Sequence, residues 1–381
     1  KNNASSILTI GGIKDKIKRS KCERRAKLMR PWEKNIRQVV PYVPGEQPAG
    51  DKIVKLNTNE NPYPPAPGVK KVLEEMEADR LRKYPDPTAS ILVKELASYY
   101  GLNEDQVFVG VGSDDVLAMS FLTFFNSDKL VLFPDVTYSF YKVWADLFKV
   151  PFETPALKED FTIDVKDYEK ENGGVIFPNP NAPTGVYMPL DQVEEILKAN
   201  QDVVVIVDEA YVDFAGPSAL ELLEKYENLL VVQTFSKSHS MAGMRIGFAM
   251  GHPDLIRALN NVKYSYNSYT MNLPSLLAGV EAVKDKAYFE SNLAKIVATR
   301  ERSKKRLAEL GFTFPDSRSN FIFASHESVP AEKIFEALKK EQIYVRYFKT
   351  PGLDNSLRIS IGTDEEMDTL FRFLEAYLPN A

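Results

Sequence analysis

The chain has 381 residues and a net charge of −5, with 44% hydrophobic and 27% charged residues. This is an ordinary globular composition, long enough for two domains or for one large and one small. A mildly acidic chain is not built to hold nucleic acid or an anionic membrane through its overall field, and no apolar run approaches the roughly 18–20 residues needed to cross a bilayer. The single cysteine, Cys22, excludes an internal disulfide or a cysteine metal cluster, and His239, His252 and His326 show no metal-ligand spacing, so no metal is expected.

Residues 1–28 differ from the rest. Lys14–Lys27 (KDKIKRSKCERRAK) is strongly basic and lacks the apolar core of a secretory signal. Met29 has the pattern of a normal start, so 1–28 is expected to be a basic extension. A basic arm that touches a partner is the alternative. From Val39 to Gly68 prolines and asparagines dominate, which forbids a continuous helix and predicts an extended arm over 29–68. Helical patterns follow at Val69–Arg80 and Ile91–Tyr100.

The middle of the chain alternates. Strand-like runs lie at Val107–Gly110, Lys129–Phe133, Gly174–Phe177, Val203–Val207, Leu229–Gln233 and Ile246–Met250, mostly apolar throughout, as in strands buried on both faces. Helical patterns stand between several of them, at Asp115–Phe125 and at Leu190–Asn200. Such alternation predicts a mostly parallel sheet with helices on both sides. A long polar helix is expected over Lys284–Leu310, with Gly311 past its end. Beyond it lies a small α+β unit: strands at Phe321–Ala324, Ile343–Tyr347 and Leu357–Ile361, and helices at Ala331–Glu341 and Asp364–Tyr377. The expected division is therefore a large domain over 69–283 and a small C-terminal one over 284–381.

In open α/β sheets ligands bind beyond the carboxyl ends of the strands, so the residues that follow each apolar run are the candidates. Gly112-Ser113-Asp114-Asp115 opens a helix whose free N–H groups could take a phosphate, although an ordinary capped helix looks the same. Tyr138 follows the next run and could stack on a flat ring or simply pack in the core. Pro178–Gly185 (PNPNAPTG) makes a rigid turn. Asp208-Glu209-Ala210-Tyr211 ends a buried strand, where a carboxylate is costly unless paired. It resembles a Walker B strand, but no Walker A loop exists to go with it. Lys237 follows the fifth run, with Arg245 eight residues later. Together these residues describe one chemistry: an amine for an imine, an acid for a pyridine nitrogen, an arginine and helix N–H groups for a phosphate, and an aromatic to cover the ring.

The ordered set GSDD, PNPNAPTG, VDEAY, FSKSHSMAGMRIGF and LRISIG, with NTNENPYPPAP near the start and KYPDP at Lys83–Pro87, resembles the fold type I aminotransferases, and within them the histidinol-phosphate aminotransferase branch. The resemblance covers the chain from about Arg30 onward. It implies a large domain with a mostly parallel seven-stranded sheet between helices, plus a smaller α+β C-terminal domain. It implies pyridoxal 5'-phosphate as cofactor, carried by Lys237, which also shuttles the proton. Asp208 would pair with the ring nitrogen, Tyr211 would bond the ring's phenolic oxygen and Tyr138 would stack on the ring. The Ser113 and Asp114 backbone N–H groups, Ser236 and Arg245 would hold the phosphate, with Tyr84 reaching the phosphate of the neighbouring subunit. Arg358 would take the substrate's acidic group, assisted by Arg346, while Tyr42, Asn59 and Glu60 close over the substrate. Relatives carry Asn-Pro-Thr-Gly where this chain has Ala182-Pro183-Thr184-Gly185, so Asn181 is the expected replacement for the missing contact.

The implied reaction is ping-pong transamination between L-histidinol phosphate and 2-oxoglutarate, in histidine biosynthesis, by a cytoplasmic homodimer with shared sites. Its small-molecule partners are an amino donor and a 2-oxo acid, with no nucleic acid and no membrane. An aromatic amino-acid aminotransferase and a threonine-phosphate decarboxylase are the rivals on the same scaffold. A non-enzymatic regulator would need a DNA-binding unit ahead of residue 40, for which residues 1–40 are too short.

Overall fold

The computed structural model describes residues 30–50 and 53–381, so the basic extension expected at 1–28 lies outside the described residues. The chain divides into two units, Lys1–Pro41 and Tyr42–Ala381. In the described part of the first, a single 3-10 turn forms at Pro31–Asn35, with proline at its start and Glu33 accepting from the Arg30 backbone at 2.9 Å.

The second unit begins with β1 (Val54–Leu56), α1 (Pro67–Glu75) and α2 (Ser90–Tyr100). Then come β2 (Val107–Gly110), α3 (Ser113–Phe124), β3 (Val131–Leu132), α4 (Phe140–Phe148), β4 (Phe152–Glu153), β5 (Gly174–Pro178), α5 (Leu190–Ala199), β6 (Val205–Asp208), β7 (Leu229–Thr234) and β8 (Gly247–Gly251). Helices α6 (Pro253–Tyr266), α7 (Leu273–Lys284) and α8 (Lys286–Glu309) lead to β9 (Phe312–Thr313), β10 (Phe321–His326), α9 (Ala331–Lys340), β11 (Ile343–Tyr347), β12 (Leu357–Ser360) and α10 (Asp364–Tyr377).

The larger sheet has seven strands in the order β2-β8-β7-β6-β5-β3-β4. β8 alone runs against its neighbours, and the remaining pairs are parallel. Side chains alternate across a strand, so Val175, Val205 and Leu229 enter one core while Ile176, Ile206 and Leu230 enter the core on the opposite face. All six are fully buried. Burial on both faces explains why these runs are apolar at every position rather than at every second one.

The structure differs from the sequence expectation in several places. β3 is only Val131–Leu132, and β4 carries no apolar run to mark it. α6 and α7 start at caps that the apolar pattern does not show: the Asn272 side chain accepts from Ser275 N at 2.8 Å, with Pro274 in the first turn of α7. The long helix starts at Lys286, because Asp285 ends α7 and caps α8, accepting from Tyr288 N at 3.1 Å. Gly311, past its end, has φ +81°, where glycine is the least strained residue.

The smaller sheet has the order β1-β11-β12-β10-β9. Its first strand comes from the proline-rich segment expected as an extended arm. β1 pairs parallel to β11, with Leu56 opposite Val345. Leu56 is 1% exposed, and burying such a side chain contributes about 2 kcal/mol. The strap Asn57–Asn61 leaves this strand and runs to the ends of β6 and β7, where the site lies.

Candidate active site

Pro178, Asp208 and Thr234 end the parallel strands β5, β6 and β7. They line a cavity of about 110 Å³ together with seven more of the expected residues: Ser113, Asp114, Tyr138, Tyr211, Ser236, Lys237 and Arg245. A larger hollow of about 940 Å³ lies beside Phe161, Tyr187 and Phe323, but its lining contains no lysine and its carboxylates are exposed. The chemistry is therefore in the smaller one.

One end of the small cavity is built for an anion. α3 begins there, and the first N–H groups of a helix have no intrahelical partner and carry its positive dipole end. Gly112 precedes it at φ +81°, and a Cβ on Gly112 would lie 2.7 Å from Arg245 Nη2. A Cβ on Gly247 would lie 2.2 Å from the Gly112 carbonyl carbon. Two glycines thus let the helix start, the β8 backbone and a guanidinium approach one another. Arg245 donates to Asp114 Oδ2 at 3.1 Å and to Ser236 Oγ at 3.4 Å. The Tyr138 hydroxyl donates to Asp114 Oδ1 at 2.7 Å. Asp114, expected to contribute only its backbone N–H, therefore orients the Tyr138 hydroxyl and the arginine through its carboxylate.

At the other end sits Asp208, 4% exposed. Burial pushes its pKa up to about 6, although two hydrogen bonds oppose this. Tyr141 donates to Oδ2 at 2.7 Å and the Ala210 N–H donates to Oδ1 at 3.3 Å. No cation pairs with Asp208 among the described residues, so it suits a protonated ring nitrogen. Glu209, next in sequence, faces elsewhere. It accepts from Ser218 Oγ, Ala219 N and Gln233 Nε2 at 2.5–2.9 Å. Tyr141 escaped the sequence reading; it lies in the first turn of α4, its N–H donating to the Tyr138 carbonyl at 3.1 Å. A Tyr141→Phe substitution leaves Asp208 with one weak backbone donor. Loss of a hydrogen bond to a charged group costs about 1.5–3 kcal/mol, so affinity for the cofactor is expected to fall about tenfold or more. Fluorescence titration of the cofactor-free protein measures this, and an unchanged affinity would remove Tyr141 from the site.

Lys237 stands between the two ends. Its Nζ donates to the Thr58 carbonyl at 3.1 Å and lies 5.7 Å from the Tyr211 ring centroid. Its loop is held from two sides, by Asn61 Nδ2 on the Ser238 carbonyl at 2.9 Å and by Ser238 Oγ on Asp213 at 2.5 Å. Tyr211 packs edge-on to Phe321 and ties the cavity to the smaller sheet.

Arg346 and Arg358 occupy facing positions on β11 and β12. Like charges directly opposite repel, and neither has a carboxylate partner among the described residues. Arg358 donates to the Asn57 carbonyl at 3.2 Å, while its buried Nε has no partner. Burial holds the Arg358 guanidinium below its usual pKa, and Arg346 pushes the same way. An anion placed there relieves both effects. Tyr42 stacks on Phe140 at 4.2 Å, beside Tyr138.

Four expected residues stand differently. Asn181 does not line the cavity; its Nδ2 donates to the Val136 carbonyl at 3.0 Å and to Thr184 Oγ1 at 3.1 Å, and the wall position is Ala182. Asn59 is buried, outside the cavity lining, with all its polar groups engaged by the protein. Glu60 pairs with Lys55 and accepts from Thr58 Oγ1 at 2.7 Å, outside the cavity lining. Tyr84 is 81% exposed and stacks on Tyr269 at 4.6 Å, away from the cavity of its own chain.

The residues present fit pyridoxal phosphate. The glycine-walled helix start with Arg245 matches a phosphate, the unpaired buried Asp208 matches a cationic ring nitrogen, Tyr138 supplies an aromatic face, and Lys237 supplies an amine at reach. Thr234, Ala182 and Ala210 complete the lining and carried no sequence signal of their own.

Residues 51–374 match the family of class I and II aminotransferases. A histidinol-phosphate aminotransferase of Brachyspira hyodysenteriae is 51% identical over 345 residues, covering 90% of this chain and 98% of that protein. One from Clostridium acetobutylicum is 53% identical over 336 residues, covering 88% and 96%. The crystal structure of a histidinol-phosphate aminotransferase from Sinorhizobium meliloti in complex with pyridoxal-5'-phosphate superposes with a TM-score of 0.76 at 25% identity, covering 85% of this chain and 89% of that one.

Proposed function

The chain belongs to the class I and II aminotransferase family, and from that premise we propose that it transfers an amino group between L-histidinol phosphate and 2-oxoglutarate, with pyridoxal phosphate, in histidine biosynthesis. The observation that carries the reaction class is the convergence of Lys237, Asp208 and the Arg245-braced start of α3 on one cavity. The substrate reading is supported by relatives about half identical over most of the chain and by two facing arginines that have no carboxylate partner among the described residues, with Arg358 within electrostatic range of Tyr211 and Tyr138.

Bound pyridoxal phosphate supplies the electron sink that stabilises negative charge at the substrate's α-carbon. The protein's own residues do the rest. Arg245, Ser236 and the N–H groups of Ser113 and Asp114 hold the phosphate. Asp208 holds a proton at the ring nitrogen through its carboxylate, and Tyr141 orients that carboxylate. Tyr138 covers one face and keeps water from it. The Lys237 amine would carry the cofactor and, once the substrate's amine has taken its place, would move a proton to and from the α-carbon. Arg358, with Arg346 beside it, takes the phosphate of one substrate and the carboxylate of the other. A planar guanidinium suits both, because it can bind either anion through two parallel hydrogen bonds.

A homodimer with shared sites belongs to this reading. It is supported by Tyr84, 81% exposed, and its stacking partner Tyr269, 47% exposed, which a second copy would cover. Tyr84 would then reach the other subunit's phosphate. No nucleic acid or membrane partner belongs to it. Among the described residues no helix is long and apolar enough to cross a membrane, and cytoplasmic residence is part of the same proposal.

The test is a half-reaction followed in the spectrophotometer. The chain loaded with pyridoxal phosphate is mixed separately with L-histidinol phosphate, phenylalanine or threonine phosphate. Rapid loss of the visible band with histidinol phosphate and slow loss with phenylalanine is expected. Rapid loss with phenylalanine alone would move the enzyme to the aromatic class, and carbon dioxide release from threonine phosphate would make it a decarboxylase.

A further inference from the structure

Asn59 lies in the strap that leaves β1, 1% exposed and with its backbone in the left-handed region at φ +57°. Each of its polar groups has a partner. Its N–H donates to Ser360 Oγ at 2.9 Å, and its carbonyl accepts from Asn320 Nδ2 at 3.0 Å. Its Oδ1 accepts from Ser360 Oγ at 3.0 Å, and its Nδ2 donates to the Tyr211 phenol oxygen at 2.9 Å. Ser360 has one proton to give and receives the Asn59 N–H on its oxygen, so that proton goes to Oδ1. This decides which end of the amide faces Tyr211. An amide NH2 group only donates, so the Tyr211 oxygen accepts, and the phenol's own proton is directed into the cavity that Tyr211 lines.

The 181–184 turn offers nothing equivalent. Ala182 presents a methyl group there, and the Asn181 amide is held by Val136 and Thr184. The charged and titratable groups facing Tyr211 come from three elements. Lys237 stands 5.7 Å from its ring, Arg358 approaches from β12, and Tyr141 from α4. Neither cation accepts a hydrogen bond, so neither competes for the phenol's proton.

We infer that Asn59, held by Ser360, is a positioning residue that keeps the Tyr211 phenol as a proton donor to the ring oxygen of pyridoxal phosphate, doing through Tyr211 what no side chain of the 181–184 turn does here. The inference rests on the functional reading above. It also places the device on the strand that carries Arg358, two residues before Ser360 and therefore on the same face of β12.

The test is a pH titration of the visible band of the full chain loaded with pyridoxal phosphate, paired with the cofactor's dissociation constant. Asn59→Asp keeps the size but offers only acceptors, so the phenol's proton turns away from the cofactor. Asn59→Gly tolerates φ +57°, deletes the amide and adds no charge, which separates the proton's direction from the field of a new carboxylate. Removing a donor from the ring oxygen makes that oxygen more basic. Asn59→Asp is expected to raise the pH midpoint of the band by about one unit, in the direction and size of Tyr211→Phe, and to weaken cofactor binding about tenfold, and Asn59→Gly, which frees the phenol's proton without turning it away, to shift both in the same direction by less. In the Tyr211→Phe background neither should add a further shift. A role in packing alone would lower thermal stability and leave the midpoint where it was. The inference is overturned if Tyr211→Phe moves the midpoint and both Asn59 variants do not, if the shifts add, or if Tyr211→Phe itself moves nothing. Absence of any visible band in the unaltered chain would overturn the functional reading and this inference with it, which keeps the two failures apart.

Discussion

Lys237→Ala is expected to lower transamination by about 10⁴-fold or more and to abolish the visible band of the loaded protein. The size follows from two losses at one atom. Lys237 Nζ is the amine that reaches the cavity, and it is also the group placed to carry the α-proton. Alanine does neither, and water at the vacated position is not held by the Ser238 clamp that fixes the lysine loop. The fold should survive. Among the described residues the side chain makes one hydrogen bond, to the Thr58 carbonyl, and no ion pair, so its loss costs about 1 kcal/mol. Circular dichroism and thermal unfolding would establish that the variant is folded, and steady-state kinetics would give the residual turnover. A folded variant that retained a tenth of the activity would overturn the role of Lys237 and, with it, the reaction class.

Asp208→Asn has a smaller effect on rate but a sign that is informative. Turnover is expected to fall about 10²–10³-fold, as for the loss of one preorganised electrostatic contact. The stability of the cofactor-free protein should move the other way. Burial raises the Asp208 pKa from 3.8 to about 6. A carboxyl whose pKa is raised by folding binds its proton more tightly in the folded state, so the folded state gains relative to the unfolded one as pH falls through 6. Above pH 6 the ionised group opposes folding, and the difference between 3.8 and about 6 corresponds to about 3 kcal/mol. Asparagine removes that penalty. Cofactor-free Asp208→Asn should therefore be more stable than the unaltered chain at pH 8, with the gap closing between pH 6 and 4. In the loaded protein the order should reverse, because a cationic ring nitrogen then pairs with the carboxylate. Denaturant unfolding at pH 4, 6 and 8, with and without pyridoxal phosphate, measures all four cases. Equal stability of the two cofactor-free proteins at pH 8 would show that Asp208 carries no buried-charge penalty waiting for a partner.

The residues at the carboxyl ends of the strands were legible because the order of the chain already sets them there. Runs such as Val205–Val207 and Leu229–Val232 are apolar at every position, which only a strand buried on both faces requires, so Asp208 and Lys237 could be placed at one edge before any contact was known. The same holds for the start of α3 after β2. Local sequence determines these because strand periodicity, glycine at φ +81° and a helix start each act over a few residues. Contacts between the strap and the two sheets were a different matter. β1 is three residues long, and it became a strand through pairing with β11 almost three hundred residues later. That pairing brings Asn59, which the sequence placed only near the substrate, into hydrogen bonds with Tyr211 and Ser360. Register decided the rest. A one-residue difference in the 178–185 turn puts Ala182 rather than Asn181 on the wall, and the pairing of β11 with β12 sets Arg346 opposite Arg358. The chain's order alone thus determined which sheet edge carries the chemistry, since those constraints are local and periodic. Tertiary structure decided which side chains turn toward the cavity and what holds them, because each of those choices is a hydrogen bond or strand pair between segments that meet only when the whole chain has folded.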